Sequence, residues 1–363
     1  MTVLHVLLRA GLGGTESLCL DLVRHLETPR FRSELVVLTE SEGPVFARAG
    51  ALGAAAHVCR IDGGNRISFA RRFARLCRDR AAGALVIYAF GLHPLVALAG
   101  RLAGVRRIVV SAGSAPPEGL LDRLKYAVLA QLGRPFVDRE VACSRYVCDR
   151  LVSAYYLPRR RVTLALNGCD TREIHERAAQ TRALRSSTAP SLIMVSRMDR
   201  AKDHESVIRA FGRARVRYPE ARLTLVGDGP TKPRLQSLAA ALGLGDVIEF
   251  TGSRADIPEL LGTSDIFVFA GRRLEGFAIV LAEAMAAGLP VVCTNVGPCA
   301  EVTGGGECGI VTAPAVDALA QGMESLLADP ALRRRLGKQA RRFAQAHYDA
   351  RETARRFQEV LAG

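Results

Sequence analysis

The sequence predicts an α/β protein made of two doubly wound, Rossmann-like domains in tandem. Short apolar runs of strand length alternate with amphipathic helical stretches, a pattern typical of parallel sheets covered by helices on both faces. The alternation stops in a polar stretch that ends at Pro190, and it then resumes. A chain of 363 residues also exceeds one ordinary hydrophobic core. Two domains are therefore expected.

The first half of the chain contains six strand-like runs. They lie at residues 3–8, 34–39, 84–89, 107–111, 140–144 and 162–166. The stretches 15–26 and 65–81 carry the 3.6-residue period of amphipathic helices, and Gly83 supplies a stop signal for the second. These elements predict an N-terminal domain over residues 1–170.

The second half repeats the pattern after an irregular segment, 171–190, which we interpret as an interdomain linker. Its strands are predicted at 192–195, 222–226, 247–250, 266–269, 290–293 and 309–312, and its helices at 204–218, 232–242, 277–287 and 316–328. The C-terminal domain is thus placed at 191–345. A last helix, 346–363, either packs back on the first domain or stays solvated. Two such domains place a ligand cleft between the carboxyl ends of their sheets.

The chain is basic, with 50 Lys and Arg against 36 Asp and Glu and a net charge of +14. Residues 1–170 hold 24 of the basic and 14 of the acidic side chains. Such a surface attracts phosphorylated ligands, anionic lipids or nucleic acid, while an Arg-rich composition from a GC-rich genome explains the excess equally well. With 6% aromatic residues and no basic and aromatic interleaving, a nucleic-acid partner is not expected.

Nine cysteines are scattered without C-x-x-C pairs or zinc spacing, so free thiols in a reducing cytosol are expected. The first nine residues show no signal-peptide pattern. The longest apolar stretch, 84–100, is divided by Gly91, His93 and Pro94 and is too short to span a bilayer. These features predict a cytoplasmic protein.

Residues 266–301 form the most informative segment. An apolar strand and a short loop precede Glu275-Gly276-Phe277, Glu283-Ala284-Met285-Ala286 and Gly288-Leu289-Pro290-Val291-Val292, in that order. This segment closely resembles the donor-site signature of family 4 retaining glycosyltransferases of the GT-B fold, in which seven residues separate two glutamates. The resemblance implies a nucleotide-sugar donor held mainly by the C-terminal domain.

Each part of the signature has a physical purpose. Gly276 leaves room for a ligand, and the N–H groups of Phe277, Ala278 and Ile279 at the helix start offer an anion site for a diphosphate. The resemblance implies that Glu275 accepts hydrogen bonds from sugar hydroxyls and that Glu283 accepts them from the ribose diol. Without the rest of the signature, the simpler interpretation would be that Glu275 interacts with the helix dipole and that Glu283 is a surface carboxylate.

A second element opens the C-terminal domain at residues 194–203. It resembles the family's pattern of an arginine at a strand end followed five residues later by a lysine, which implies that Arg197 and Lys202 bind the donor diphosphate. Fixed cations stabilise the charge that develops on a leaving diphosphate. Without the downstream match, surface residues beside a strand and a helix would be the alternative. Residues 226–230 resemble a family turn, and the loop carrying Arg254 resembles the one near the nucleobase.

The N-terminal domain carries a Gly-rich loop at residues 11–16. It resembles a family loop that faces donor phosphate and acceptor, with Gly14 as the expected contact, although a purely structural turn is the alternative. Residues 167–170 resemble the family's Asn-Gly-x-Asp hinge. One departure concerns catalysis, because 110–114 lacks the histidine that many relatives carry after the corresponding strand. His93 follows the preceding strand and is either structural or part of the site.

The resemblance implies metal-independent, retaining transfer of a sugar by front-face displacement, in which the departing phosphate helps to deprotonate the acceptor. Catalysis is assigned to Glu275, Arg197 and Lys202, with no metal and no cofactor beyond the donor, for which a UDP-sugar is favoured over a GDP-sugar. The expected acceptor is a lipid-linked or cell-envelope glycan, and residues 120–132 suit an amphipathic helix lying on an anionic membrane at its inner face. A soluble small acceptor, as in natural-product or thiol biosynthesis, and a nucleotide-sugar epimerase are the alternatives.

Overall fold

The computed structural model describes residues 1–11, 13–26, 30–61, 65–117, 119–186, 189–271 and 275–363. They divide into two units, the first comprising Met1–Gly168 and Ala350–Gly363 and the second Cys169–Asp349. Each unit is built on one parallel sheet, of seven strands in the first and six in the second. Helices flank both sheets, so the predicted α/β fold class is confirmed.

The first unit carries seven strands in the order β3-β2-β1-β4-β5-β6-β7. The strands are β1 (Thr2–Leu7), β2 (Arg32–Val37), β3 (Ala56–Val58), β4 (Ala82–Ile87), β5 (Arg107–Ala112), β6 (Arg139–Ala142) and β7 (Val162–Leu164). The helices are α1 (Gly14–His25), α2 (Pro44–Ala51), α3 (Arg66–Asp79), α4 (His93–Leu102), α5 (Leu120–Gly133) and α6 (Arg145–Tyr155).

Both faces of this sheet are buried. Along β1, Val3 and Leu7 pack in one hydrophobic cluster with residues of α1 and α2, whereas Leu4 and Val6 pack in the other with α3 and α4. Successive side chains of a strand point to opposite faces, so a strand covered on both sides needs an unbroken apolar run. This requirement explains why the apolar runs of the sequence located the strands.

The second unit has the strand order β10-β9-β8-β11-β12-β13. Its elements are α7 (Thr171–Ala183), β8 (Ser191–Val195), α8 (His204–Arg215), β9 (Arg222–Val226), α9 (Lys232–Ala241), β10 (Ile248–Gly252), α10 (Ile257–Gly262), β11 (Ile266–Phe269), α11 (Ile279–Ala286), β12 (Val291–Thr294), α12 (Cys299–Val302), β13 (Gly309–Thr312), α13 (Val316–Ala328) and α14 (Pro330–His347). The strand order reverses at β8 and β11, which lie side by side. Ligand sites of doubly wound sheets form at such a reversal.

Helix α7 occupies the segment for which the sequence favoured an irregular linker. Asp170 caps the helix by accepting a hydrogen bond of 3.0 Å from the N–H of Glu173, and Arg177 pairs with Glu259. Only Thr171, Ile174 and Ala178 of this helix are buried, so its apolar periodicity is weak. The helix is held by capping and packing rather than by a pattern visible in the sequence.

Strand β3 was also not predicted from the sequence. It consists of three residues in an alanine-rich run and pairs with β2 at the edge of the sheet, for example Ala56 with Leu35. Alanine has little preference for strands, and a short edge strand lacks the apolar run of a buried one. The pairing with β2 decides its conformation.

The last helix, α15 (Ala350–Ala362), belongs to the first unit. Phe357 and Leu361 join the hydrophobic cluster that contains Leu18 and Leu22 of α1. The backbone carbonyl of Val360 accepts a hydrogen bond of 2.7 Å from the guanidinium of Arg107. The C-terminal segment is therefore a structural part of this unit.

Two further expectations concern cysteines and membrane spans. All nine cysteines are buried. Within the described ranges, no helix combines the length and the apolar character needed to cross a bilayer.

Candidate active site

Two loops meet at the carboxyl edge of the second sheet. One follows β8 and the other follows β11, and because these strands are parallel neighbours, both loops leave the sheet on the same side. The backbones of Lys202 and Gly271 form an isolated bridge, and the N–H of Asp203 donates a hydrogen bond of 2.9 Å to the carbonyl of Ala270. Backbone pairing thus fixes the position of Lys202 against the β11 loop.

Lys202 and Glu275 form an ion pair in this place. The Lys202 ammonium group contacts Glu275 Oε1 and lies 5.0 Å above the centre of the Phe269 ring. The side chains are 21% and 8% exposed, respectively, so water screens the pair only partly. An ammonium group between a carboxylate and an aromatic face is fixed in position.

Two glycines make room for Glu275. A Cβ at Gly271 would lie 3.3 Å from Glu275 Cγ, and one at Gly297 would lie 3.1 Å from the Glu275 carbonyl oxygen. Gly297 also has a φ of +56°, which few other residues adopt. The N–H of Gly271 donates a hydrogen bond of 3.3 Å to Thr294 Oγ1 on β12. Glu275 thus lies among the loops that follow three neighbouring strands, β8, β11 and β12.

The chain after Glu275 forms an amide-rich turn. Ala278, the N-cap of α11, has a left-handed backbone with φ +57° and ψ +62°, an uncommon conformation for alanine. Among the described residues, no acceptor pairs with the N–H groups of Phe277, Ala278 and Ile279. The buried Phe277 ring packs edge-on against Tyr348 at 5.2 Å, which anchors the turn. Such a turn offers an anion both backbone N–H donors and the positive end of a helix dipole.

Glu283 is the fifth residue of α11. Burial raises the pKa of its carboxyl from 4.5 to about 7, although part of the residue remains accessible. No hydrogen bond or ion pair joins it to another described residue. A partly buried carboxyl without a partner costs stability when it is ionised, unless a ligand supplies hydrogen-bond donors.

This burial has a measurable consequence for stability. Since the folded protein holds the Glu283 proton up to about pH 7 and the unfolded chain releases it near 4.5, stability is lost as the pH rises from about 4.5 to about 7. Glu283→Gln cannot ionise, so its free energy of unfolding should fall less than that of the wild type when the pH is raised from 5 to 8. We expect the two falls to differ by about 2 kcal/mol. Calorimetric unfolding at both pH values measures it, with the exposed Glu220→Gln as control. Equal pH dependence in wild type and Glu283→Gln would contradict the assignment.

Arg197 lies at the same edge, two residues after β8. Its loop is held against the turn after β9, where the N–H of Met198 donates a hydrogen bond of 2.8 Å to the carbonyl of Asp228. The Arg197 side chain is 72% exposed, and its Nε donates to Asp199 Oδ2 at 2.6 Å. Asp199 therefore holds this guanidinium, whereas Lys202 contacts Glu275 directly.

The remaining candidate residues are more dispersed. Arg254 follows β10 and pairs with Asp256, with its Nε 2.8 Å from Oδ1. Gly14 begins α1 in the first unit, next to Gly13, whose N–H donates a hydrogen bond of 3.0 Å to the Glu16 carboxylate. Leu12 of the Gly-rich loop and residues 272–274 of the β11 loop lie outside the described residues.

His93 has a structural environment. It is fully buried at the start of α4, where its Nδ1 contacts the carbonyl of Phe90, and burial lowers its pKa to about 4. A Cβ on Gly133 would lie 2.6 Å from the ring. A neutral imidazole enclosed by α4 and α5 packs the first unit and is not accessible to a substrate.

The sequence analysis missed three residues that shape this site. Thr294, Gly297 and Phe269 each contact Glu275, Gly271 or Lys202. For Thr294 and Gly297 the signal was the Gly297-Pro298 turn shortly after an apolar strand, which marks a loop at the carboxyl edge of the sheet. Phe269 is the last residue of a predicted strand and carried no separate signal.

Comparison with known proteins decides the family. Residues 12–173 match the family model described as Glycosyltransferase Family 4, and residues 176–343 match Glycosyl transferases group 1. Over 290 residues, 76% of this chain and 75% of the relative, the sequence is 30% identical to the GDP-mannose-dependent alpha-(1-6)-phosphatidylinositol monomannoside mannosyltransferase of Mycolicibacterium smegmatis. The chain belongs to glycosyltransferase family 4.

A second relative and a solved structure agree with this result. An N-acetylgalactosaminyltransferase of Campylobacter jejuni, named for a diphospho-undecaprenol acceptor, is 26% identical over 81% of this chain and 80% of its own. Anabaena HepE, solved in complex with UDP and glucose, superposes with a TM-score of 0.88 over the full length of both chains at 19% identity. The family 4 protein thus has the GT-B fold that its motifs predicted.

Proposed function

We propose that the protein is a retaining, metal-independent hexosyltransferase that moves a sugar from a nucleoside-diphosphate donor to a hydroxyl of a lipid-linked or cell-envelope glycan. The observation that carries this proposal is the Lys202–Glu275 ion pair beside the amide-rich turn at Gly276. It joins a cation, a carboxylate and backbone donors at one sheet edge. A sugar diphosphate presents the complementary groups.

The leaving diphosphate gains negative charge as the glycosidic bond breaks. The N–H groups of Phe277, Ala278 and Ile279 and the Lys202 ammonium would stabilise that charge more strongly than the ground state, which lowers the barrier. Arg197 would join them, because an exposed guanidinium exchanges Asp199 for a phosphate at small cost. These groups neutralise the diphosphate, so the proposed reaction requires no metal.

The two glutamates would orient the donor. Glu275, held by Lys202 and two glycines, would accept hydrogen bonds from hydroxyls of the transferred sugar, and Glu283 would accept them from the ribose. Arg254 of the second unit would contact the nucleobase. Gly14 of the first unit would contact the acceptor. The departing phosphate would deprotonate the acceptor on the same face of the sugar, which retains the configuration. The buried His93 takes no part.

The donor is proposed to be a UDP-sugar, supported by the UDP bound in the Anabaena structure. A GDP-sugar is the second candidate because the mycobacterial relative is named for GDP-mannose. The name of the mycobacterial relative contains phosphatidylinositol monomannoside, and that of the Campylobacter enzyme contains diphospho-undecaprenol. Both names support a lipid-linked acceptor here.

A thermal-shift panel of UDP, GDP, ADP and their sugars tests the donor site. Ligand at 100 times its Kd stabilises the native state by about 2.7 kcal/mol, so the favoured nucleotide should raise the Tm by several degrees. We expect UDP to act most strongly and Lys202→Met to abolish the response. A response to GDP alone would make a GDP-sugar the donor in place of a UDP-sugar. No response to any nucleotide would overturn the proposed function.

A further inference from the structure

Helix α5 of the first unit carries a stripe of five outward aliphatic side chains. Leu120, Leu121, Leu124, Val128 and Leu132 are each between 50% and 82% exposed. The spacing of 120, 124, 128 and 132 places them along one face of the helix, and Leu121 lies beside them. Single exposed hydrophobic residues are common on proteins, whereas a continuous stripe over three turns marks a contact surface.

The opposite face of α5 holds the helix in the fold. Ala127, Ala130 and Gly133 are buried there, and the helix packs between α4 and α6. Small residues let α5 lie close to its neighbours, as the contact of Gly133 with the His93 ring shows. Because the buried face already holds the helix, the five outward side chains are not needed to stabilise it.

The surroundings of the stripe are basic. Helices α3, α4, α5 and α6 pack side by side in that order. Lys125 and Asp122 are both exposed on α5 next to the stripe, and their charges cancel. The excess comes from α3, which has one aspartate but five arginines, at 66, 71, 72, 75 and 78. Arg159 and Arg160, which follow α6, are exposed as well. This layer of helices thus combines outward leucines with a positive field.

We propose that the α5 stripe docks the protein on an anionic lipid bilayer. The leucines would enter the boundary between head groups and acyl chains, and the surrounding arginines and lysine would contact anionic head groups. A second copy of the chain fits less well, because two such faces would bring like charges together. This inference deepens the proposed function and rests on its lipid-linked acceptor, which an enzyme must reach at the membrane surface.

A single tryptophan tests the docking directly, since the chain contains none. On vesicles of phosphatidylcholine with one quarter phosphatidylglycerol, the emission of Leu121→Trp is expected to shift to the blue and to be quenched by brominated lipid. High salt should reverse the shift. The matched control, Val216→Trp, replaces an equally exposed residue of the second unit and should keep the emission of a residue in water. Unchanged Leu121→Trp emission on these vesicles would overturn the proposal.

Partitioning provides the second measurement. The double variant Leu121→Gln/Leu124→Gln should lower co-sedimentation with the same vesicles by about tenfold or more, because two buried leucines are lost from the lipid phase. Leu184→Gln, which alters an exposed leucine elsewhere, should bind like the wild type. Nucleotide thermal shifts are expected to be unchanged in every α5 variant, so a failure of docking is distinguished from a failure of the donor site. A dimer in sedimentation velocity that the double variant abolishes would assign the stripe to a second copy and overturn the proposal.

Discussion

Lys202→Met is expected to lower the rate of donor turnover by about 100- to 1000-fold, the usual effect of removing one preorganised donor to a developing charge. Lys202 is held by its backbone bridge to Gly271, the carboxylate of Glu275 and the ring of Phe269. In the proposed reaction, Lys202 would therefore meet the leaving diphosphate without reorganisation. Release of nucleoside diphosphate from the donor sugar measures the effect in the absence of a known acceptor.

The same variant also leaves Glu275 buried without its cation. We expect a stability loss of about 1 to 3 kcal/mol, so activity is to be compared well below the Tm of the variant. Lys338→Met is the matched control, because Lys338 is exposed on α14. If folded Lys202→Met turned over donor at the wild-type rate, Lys202 would have no catalytic role.

Gly227→Ala is expected to destabilise the second unit by about 2 to 4 kcal/mol. Gly227 has a φ of +136°, and a Cβ there would lie 2.1 Å from the carbonyl oxygen of Ser196. Ser196 follows β8 directly and precedes Arg197, so a clash of the alanine Cβ with the Ser196 carbonyl would move the loop that carries Arg197 and Lys202. Nucleotide affinity should fall about tenfold together with stability. Calorimetry and nucleotide titration measure the two effects.

Gly243→Ala separates the cost of a positive φ from the cost of the clash with Ser196. Gly243 has a φ of +68°, but a Cβ there would have no neighbour within 4 Å. It should cost only about 1 kcal/mol for the left-handed backbone and leave nucleotide affinity unchanged. Equal losses from both substitutions would show that the contact with Ser196 does not position the Arg197 loop.

The sequence located the central elements closely because buried parallel strands require apolar runs. The predicted strands 222–226 and 266–269 coincide with β9 and β11. Helix α11 begins two residues later than predicted, since Ala278 adopts a left-handed conformation that no periodicity reveals. Helix α7 and strand β3 depend on capping and on edge pairing, which leave weak apolar patterns.

The candidate site was predicted in part. The motifs named Lys202, Glu275 and the turn at Gly276, and the two loops that carry them prove to be paired. The sequence analysis did not predict the partners of Arg197 and Arg254. Each arginine binds an aspartate that lies two residues later in an exposed loop. The environment of His93 was undecided as well, because its burial depends on how closely α5 approaches at Gly133.

The sequence by itself determined the two α/β units, because apolar periodicity and turn-forming residues are local features of a chain. It also contained the donor motif, and the resemblance of that motif to family 4 indicated the family. Only the tertiary structure decided that Lys202 and Glu275, which are 73 positions apart in the sequence, form an ion pair. That contact depends on β8 and β11 becoming neighbours where the strand order reverses. The physical reason is that strand pairing and close packing are set by the whole sheet and its helices, so the environment of a side chain follows from distant residues that no local pattern identifies.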